Sequence, residues 1–324
     1  MINGVINVYK EKGFTSHDVV AKLRGIVHQK KIGHTGTLDP DAVGVLPVCL
    51  GKATRICEYL TNETKTYEAH LLLGQITDTQ DTSGTVLEEH EVNCAREDLE
   101  EVLKSFEGDQ MQVPPMYSAL KVNGKKLYEL AREGKEVERK ARPVHFYEIR
   151  LLSCEMPRAT IRVTCSKGTY IRTLCHDIGQ KLGCGGCMEQ LTRTRVGIFD
   201  ERKAHRLADI AEYCEKGRLG DILIPVDRMF DELPSFSASQ SADVLVHNGN
   251  PVPIRFLSNS LTGSFDLEQN RDMASLFATN AEADEQMSVR LYDSVGAFIG
   301  VYTLDRKNNQ FRPDKIFYDP EGDG

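Results

Sequence analysis

Eight residues constrain this chain more than any others. Residues 33–40 read Gly-His-Thr-Gly-Thr-Leu-Asp-Pro. The run is too rich in glycine for a helix and lacks the alternation of a strand, so it reads as a loop. Apolar segments flank it on both sides, which anchors it to a core. Two readings are open. Asp-Pro is a common turn opener, and two glycines three apart let a chain bend. Alternatively, the loop is a rigid mount that presents one carboxylate, Asp39, to a ligand. Loops on rigid scaffolds often carry function. Pro40 favours the second reading, because it restricts the backbone of Asp39 to extended geometry.

The flanking pattern gives a fold class. Val5 to Tyr9 and Val45 to Leu50 read as buried strands. Between them, Thr15-Ser16-His17-Asp18 is a capping-box pattern, and Val19, Val20, Leu23, Ile26 and Val27 follow at helical spacing. Ala53 to Leu60 reads as a short helix. Thr66 to Gly74 alternates, with Tyr67, Ala69, Leu71 and Leu73 on one face. Leu99, Val102, Leu103 and Phe106 fit an amphipathic helix stopped by Gly108, and Leu127 to Arg132 a short helix closed by Gly134. Ile149 to Ser153 and Thr160 to Cys165 read as paired strands, and Tyr170 to Leu182 as a helix ended by Gly183. Strands interleave irregularly with helices, which predicts α+β rather than a repeating βαβ sheet.

Composition and charge shift across Pro225 to Pro234, so two domains are expected, 1–230 and 231–324. In the second, Val289 to Leu291, Ala297 to Leu304 and Phe311 to Phe317 read as strands, and Ser258 to Ser288 as a long mobile insertion. Residues 231–324 hold 7 bases against 15 acids, which leaves 33 of each in residues 1–230. Within that neutral part the bases clump: eight against four acids in 116–145, and nine against four in 158–203. Local basic patches, not whole-chain charge, make the footprint of a nucleic-acid binder, although charge runs are also ordinary solvated faces.

Other classes are disfavoured. The apolar run Val43 to Leu50 is short and broken by Pro47, too little to span a membrane. The first ten residues lack a basic start before an apolar core, so no secretory leader is expected, and the cytoplasm is the expected location. Nine cysteines without a framework read as reduced thiols. Cys184-Gly-Gly-Cys187 has no second pair to complete a zinc site, so no metal is expected.

Five blocks in order then carry a resemblance. They are Lys31 to Arg55 around the loop; Lys65-Thr66-Tyr67 with Gly74 to Gly84; Gln112 to Gly134; Cys165 to Leu174 with Asp177-Ile178-Gly179; and Leu182 to Gly197. Together they resemble the signature of the bacterial tRNA pseudouridine-55 synthases, the TruB family. The resemblance covers about residues 3–200. It implies a pseudouridine-synthase catalytic domain with a mixed, mainly antiparallel central sheet flanked by helices. A small β-rich PUA-like RNA-binding domain would follow. The implied activity is isomerisation of one T-loop uridine of tRNA, without cofactor or metal, by a monomer needing no protein partner.

The resemblance also implies residue roles. Asp39 would be the catalytic carboxylate, Tyr67 would pack on the target base, and Arg172 would pair with Asp39. Leu191 would line the uracil pocket, and His34 would contact the RNA loop opened by base flipping. Lys10 would support the site, while Gly36, Thr37, Leu38, Tyr170 and Lys121 would meet the substrate. The chemistry fits these types. Cleaving a glycosidic bond leaves an electron-poor sugar carbon that a carboxylate can trap or stabilise. A carboxylate in a dry pocket stays ionised only beside a cation, and arginine can hold it with two parallel hydrogen bonds. Lys121, Lys125, Lys126, Arg139, Lys140 and Arg142 offer phosphate contacts, and Arg290, Arg306 and Arg312 are the bases available in the acidic second domain. Read from the residues alone, Tyr67 and Leu191 are also ordinary core positions, Arg172 a surface cation, and His34 a cap for Gly36. Two rivals remain at this level. One is a tRNA-binding folding helper. The other is a base-removing hydrolase, which needs a second carboxylate or metal to activate water, and for which Asp41 is the available group.

Overall fold

The computed structural model describes residues 1–122, 124–259 and 287–319. The expected insertion at Ser258 to Ser288 therefore lies outside the described residues except at its two ends. The first fourteen strands are β1 (Gly4–Lys10), β2 (Ile32–His34), β3 (Val43–Leu50), β4 (Lys65–Leu73), β5 (Gln75–Thr77), β6 (Val86–Glu89), β7 (Gly108–Gln112), β8 (Lys121–Val122), β9 (Lys125–Lys126), β10 (Arg142–Glu155), β11 (Arg158–Cys165), β12 (Gly186–Val196), β13 (Phe199–Asp200) and β14 (Leu223–Ile224). The helices among them are α1 (Ser16–Ile26), α2 (Cys57–Asn62), α3 (Arg96–Lys104), α4 (Leu127–Arg132), α5 (Ile171–Lys181) and α6 (Leu207–Glu215).

Ten strands form one sheet in the order β14-β1-β3-β12-β4-β11-β10-β7, with β2 on β3 and β13 on β12. Every pairing in it is antiparallel except β12 with β3. This is the mixed α+β sheet expected. Its centre holds one strand that the sequence pattern hides: β12 reads Gly-Cys-Met-Glu-Gln-Leu-Thr-Arg-Thr-Arg-Val, too polar for a central strand. The Gly-rich run also starts differently from expectation. Gly33 and His34 belong to β2 and pair with Cys49 and Val48, so the loop proper begins at Thr35.

Alternation explains the layers. Ile6 and Val8 of β1, with Leu46, Val48 and Leu50 of β3, pack under Val19, Val20 and Leu23 of α1 and Leu207 and Ile210 of α6. Val5, Val45 and Cys49 face the opposite side, against Leu60 of α2. Both strands are thus buried on both faces, which is why they read as apolar runs. Farther along, Tyr67, Ala69, Leu71 and Leu73 of β4 pack with Ile161 and Val163 of β11 against Leu99 and Leu103 of α3 and Ile171, Leu174 and Ile178 of α5. The predicted capping box is present: Thr15 Oγ1 accepts from Asp18 N at 3.1 Å, and Asp18 Oδ2 accepts from Thr15 N at 2.8 Å.

Six further strands, β15 (Ser235–Ala238), β16 (Val252–Pro253), β17 (Leu257–Asn259), β18 (Ser288–Tyr292), β19 (Phe298–Asp305) and β20 (Gln310–Ile316), form a second sheet, β16-β20-β19-β18-β15-β17. This is the small β-rich domain. It is packed onto the first sheet: Val226, Met229 and Phe230 of the connecting segment share one apolar cluster with Val5, Val45, Val301 and Phe317.

One close approach fixes how the central strands meet. Gly44 has φ +105°, and a Cβ there would stand 2.3 Å from the Arg193 carbonyl oxygen. Gly44→Ala is expected to destabilise the protein by about 2–4 kcal/mol through strain and overpacking. Gly25→Ala, on the exposed side of α1 with nothing within 4 Å of the new methyl, is expected to stabilise by about 0.5–1 kcal/mol. Denaturant unfolding of both variants checks the pair; a Gly44→Ala protein as stable as the parent would contradict the packing.

Candidate active site

The carboxylate loop is held from several sides. At its entry, Leu38 N donates to the buried hydroxyl of Ser16, the first residue of α1, at 2.9 Å. At its exit, Ala42 N closes a turn onto Asp39 O at 3.1 Å, and Gly13 N donates to Pro40 O at 2.9 Å. Lys10, fully buried at the end of β1, donates to Pro40 O at 3.0 Å, Ala42 O at 2.6 Å and Glu11 O at 3.3 Å. Lys10 thus supports the site through the backbone that carries Asp39. Gly36 takes φ +132° inside this loop, a conformation that side chains rarely allow.

Arg172 meets Asp39 as expected, though not as a parallel fork. Its Nε lies 3.1 Å from Asp39 Oδ2. The other nitrogens are engaged elsewhere: Nη1 donates to Thr79 O at 3.1 Å and lies 3.4 Å from Asp81 Oδ2, and Nη2 donates to Tyr117 O at 2.9 Å. Arg172 is the second residue of α5, so its stem starts at a buried helix end. That end is fixed by Gln112, whose side chain donates to Tyr170 O at 3.0 Å and accepts from Tyr170 N at 2.8 Å. The guanidinium side chain is 6 % exposed while that of Asp39 is 45 % exposed. The expectation of a carboxylate inside a dry pocket is therefore corrected for the free protein. A rigid buried cation holds a carboxylate that still faces water.

Asp81 is a site residue that the sequence reading missed. Its Oδ1 accepts from Thr79 Oγ1 at 2.7 Å, Ser83 Oγ at 2.5 Å and Ser83 N at 3.1 Å, leaving Oδ2 toward Arg172. The segment Asp-Thr-Gln-Asp-Thr-Ser-Gly lies in the Gly74 to Gly84 block, in which Asp81 was given no role, and the fold brings it to α5. Asp41, considered earlier as a second carboxylate, instead lies 3.9 Å from Lys12 on the surface. Arg193 was also missed. It is 1 % exposed, and donates through Nε to Val45 O at 2.7 Å and through Nη2 to Gly36 O at 3.2 Å.

Leu38, Tyr67 and Leu191 are buried in one cluster. Burial pushes the Tyr67 phenol up, with the Arg193 guanidinium opposing the shift. Burial also pushes Tyr170 up. His34 is half-buried, packs edge-on against His17 at 5.3 Å between centroids, and accepts from Gly36 N at 3.4 Å. The capping contact foreseen for it thus exists, and burial, then His17, favour its neutral form. Thr37 is exposed at the loop tip, and Lys121 is exposed at the start of the β8–β9 hairpin, bonded to none of these groups. Of the bases expected in the second domain, Arg290 is 2.7 Å from Asp231 and Arg312 is 2.5 Å from Asp305, so both serve internal pairs. All nine cysteines are free thiols. No helix among the described residues is long and apolar enough to cross a membrane.

A mixed sheet thus mounts one arginine-held carboxylate near a buried tyrosine. Residues 24–171 match the model of the TruB family pseudouridylate synthase N-terminal domain, and residues 172–231 that of the tRNA pseudouridylate synthase B C-terminal domain. The chain is 48 % identical over 324 residues to the tRNA pseudouridine synthase B of Lachnoclostridium phytofermentans, covering 98 % of this chain and 100 % of the relative. It is 44 % identical to that of Bacillus pumilus, covering 98 % of each. A solved H/ACA RNP bound to a substrate RNA containing 2'-deoxyuridine has a chain of the same fold, with TM-score 0.69 and 25 % identity over 98 % of this chain and 86 % of that one. The chain belongs to the TruB family of pseudouridylate synthases.

The buried Lys10 generates a pH prediction. Burial lowers its pKa from 10.5 to about 8, although Asp39 and Asp41 favour its charge. Below pH 8 both folded and unfolded chains carry the proton, and the cost of burying the charge is felt in full. Between 8 and 10.5 the unfolded chain binds the proton that the folded one has lost, so the contribution of Lys10 to stability rises with pH. Denaturant unfolding of the parent and Lys10→Met at pH 7 and pH 10 is expected to show the parent gaining relative to the variant at the higher pH. An unchanged difference, or a shift toward the variant, contradicts this.

Proposed function

We propose that the chain isomerises uridine 55 in the T-loop of tRNA to pseudouridine, with Asp39 as the catalytic carboxylate. Family membership supports the reaction class, and the names of the relatives support tRNA as substrate. The observation that carries the site reading is the Asp39 carboxylate itself. It stands 3.1 Å from a buried arginine, partly open to solvent, next in the chain to the buried Leu38 and close enough to Tyr67 to act on its phenol.

In this reading the target base is flipped out of the RNA, at a cost of a few kcal/mol, and stacking on Tyr67 offsets it. Its arrival covers Asp39 and removes water. The ion pair with Arg172 keeps the carboxylate charged as that happens. The bond from sugar carbon C1′ to uracil N1 breaks, and the negative charge of Asp39 meets the electron-poor C1′. The uracil turns in a pocket walled by Leu191, C5 bonds to C1′, and C5 gives up its proton while N1 gains one. His34, Gly36, Thr37 and Tyr170 line the approach, and the exposed Lys121, Lys125, Lys140 and Arg142 meet phosphates. Asp81 weighs against a hydrolase. It is a second carboxylate, but Thr79, Ser83 and Arg172 occupy both its oxygens, which leaves it ill placed to activate water.

The division into a catalytic domain, 1–230, and a PUA-like RNA-binding domain, 231–324, belongs to this proposal, as does a monomer acting without a protein partner in the cytoplasm. The internal pairing of Arg290 and Arg312 leaves the second domain a minor share of the affinity.

Pseudouridine formation must expel the hydrogen on uracil C5. Tritium release from a C5-labelled tRNA transcript, with the modified position mapped by carbodiimide-blocked primer extension, tests the reading. The parent is expected to release tritium from position 55, and Asp39→Asn to lose at least about 10³-fold in rate while still binding the transcript. Tight binding without release by either protein would leave only a folding helper. Parental release by Asp39→Asn would remove Asp39 from the chemistry.

A further inference from the structure

Arg193 is the largest fully buried side chain of the described residues, and its charge meets carbonyl oxygens rather than a carboxylate. An isolated buried charge costs several kcal/mol unless donors and acceptors around it are matched. A cation kept at such a cost, forming no ion pair among the described residues, calls for a local reason.

The sheet register supplies one. Lys10 pairs with Gly44 across β1 and β3, Gly44 with Arg193 across β3 and β12, and Arg193 with Tyr67 across β12 and β4. One row across four strands therefore reads Lys10, Gly44, Arg193, Tyr67. Gly44 has no side chain, and its φ of +105° lets the Arg193 backbone come close. The two cations reach the same loop from this row. Lys10 takes the carbonyls of Pro40 and Ala42, just after Asp39. Arg193 takes the carbonyl of Gly36, just before it, and anchors its own Nε on Val45 O. Arg193 Nη1 would also lie 3.7 Å from a methyl at Gly36, so the guanidinium runs along the inner side of the loop.

We propose that Arg193 is a positioning residue for the isomerisation. With Lys10 it clamps the two ends of the Asp39 loop, and it fixes the distance from the carboxylate to the ring of Tyr67 beside it in the sheet. This inference rests on the reading of Asp39 as the catalytic carboxylate. Hydrogen bonds to carbonyls suit the task better than an ion pair. They fix the backbone while leaving the Asp39 carboxylate to Arg172 and the substrate. Misplacement by about 1 Å of a group that must meet a reacting carbon costs roughly 10²-fold in rate. A shorter cation in place of Arg193 keeps the charge but reaches at most one of the two carbonyls.

Single-turnover tritium release at saturating C5-labelled tRNA, with the dissociation constant of the same transcript, tests this in the full chain. The variants are Arg193→Met, Arg193→Lys and, as a control on the underlying reading, Asp39→Asn. Arg193→Met is expected to slow the bound complex by roughly 10²-fold with the dissociation constant changed less than about threefold. Arg193→Lys is expected to recover part of that rate. Should Arg193→Met fail to fold, Arg193→Lys decides alone: a rate constant at least about fivefold below the parent with unchanged binding supports the clamp. A parental rate in the folded variants overturns it, and so does a loss confined to tRNA binding. Parental release by Asp39→Asn would instead strike the Asp39 reading, whatever Arg193 does.

Discussion

A carboxylate that is nearly half exposed can act on one atom of a large RNA only if the protein fixes it beforehand. That constraint falls on the contact between Arg172 and Asp39, 3.1 Å from Nε to Oδ2. The guanidinium spends its remaining donors on Thr79 O, Tyr117 O and Asp81. It is therefore immobilised by two separate segments, 79–81 and Tyr117, before the substrate arrives. An exposed ion pair is worth about 0–1 kcal/mol, because water competes and long side chains lose entropy. Here the arginine entropy is already lost and one partner is already desolvated. In the proposed reaction a base that covered Asp39 would strengthen the attraction, because the local dielectric would fall.

The same economy governs the backbone beneath. Lys10 and Arg193 are buried at 0 % and 1 % exposure without forming ion pairs among the described residues, and both grip carbonyls of the Asp39 loop. Lys65, 6 % exposed, grips Thr61 O and Glu63 O at 2.6 Å each, and burial lowers its pKa to about 8. Lys10 and Arg193 thus place two positive charges beneath the loop that carries Asp39. Burying these charges has a cost in stability that the apolar layers on both faces of the sheet must offset.

Much of this was legible in the sequence because periodicity reports burial. The alternation of Tyr67, Ala69, Leu71 and Leu73 gave β4, and the helix expected at Tyr170 to Leu182 is α5, Ile171–Lys181. The five motif blocks pointed to Asp39, Arg172, Tyr67 and Leu191; the fold brings Arg172 to Asp39 and buries Tyr67 and Leu191 in one cluster. What stayed hidden depends on contacts distant in sequence. Arg172 and Asp81 are 91 positions apart, and the motif block that holds Asp81 gave it no role. β12 was overlooked because its charged residues mask a central strand, and Arg193 among them is buried against expectation for an arginine. The segment read as a domain boundary, Pro225 to Pro234, buries Val226, Met229 and Phe230 between the sheets. Composition marks a change of domain but does not report whether the junction is packed.

The central claim is that catalysis depends on an arginine holding Asp39 in one place, beyond the presence of a positive charge. Arg172→Lys keeps the charge but cannot bond Asp39, Thr79, Tyr117 and Asp81 together. The most direct measurement is the single-turnover rate of C5 tritium release by Arg172→Lys at saturating tRNA, beside its dissociation constant for the same RNA. A fall of roughly 10²-fold or more with unchanged binding is the expected result. A parental rate would contradict the account, because charge alone would then suffice.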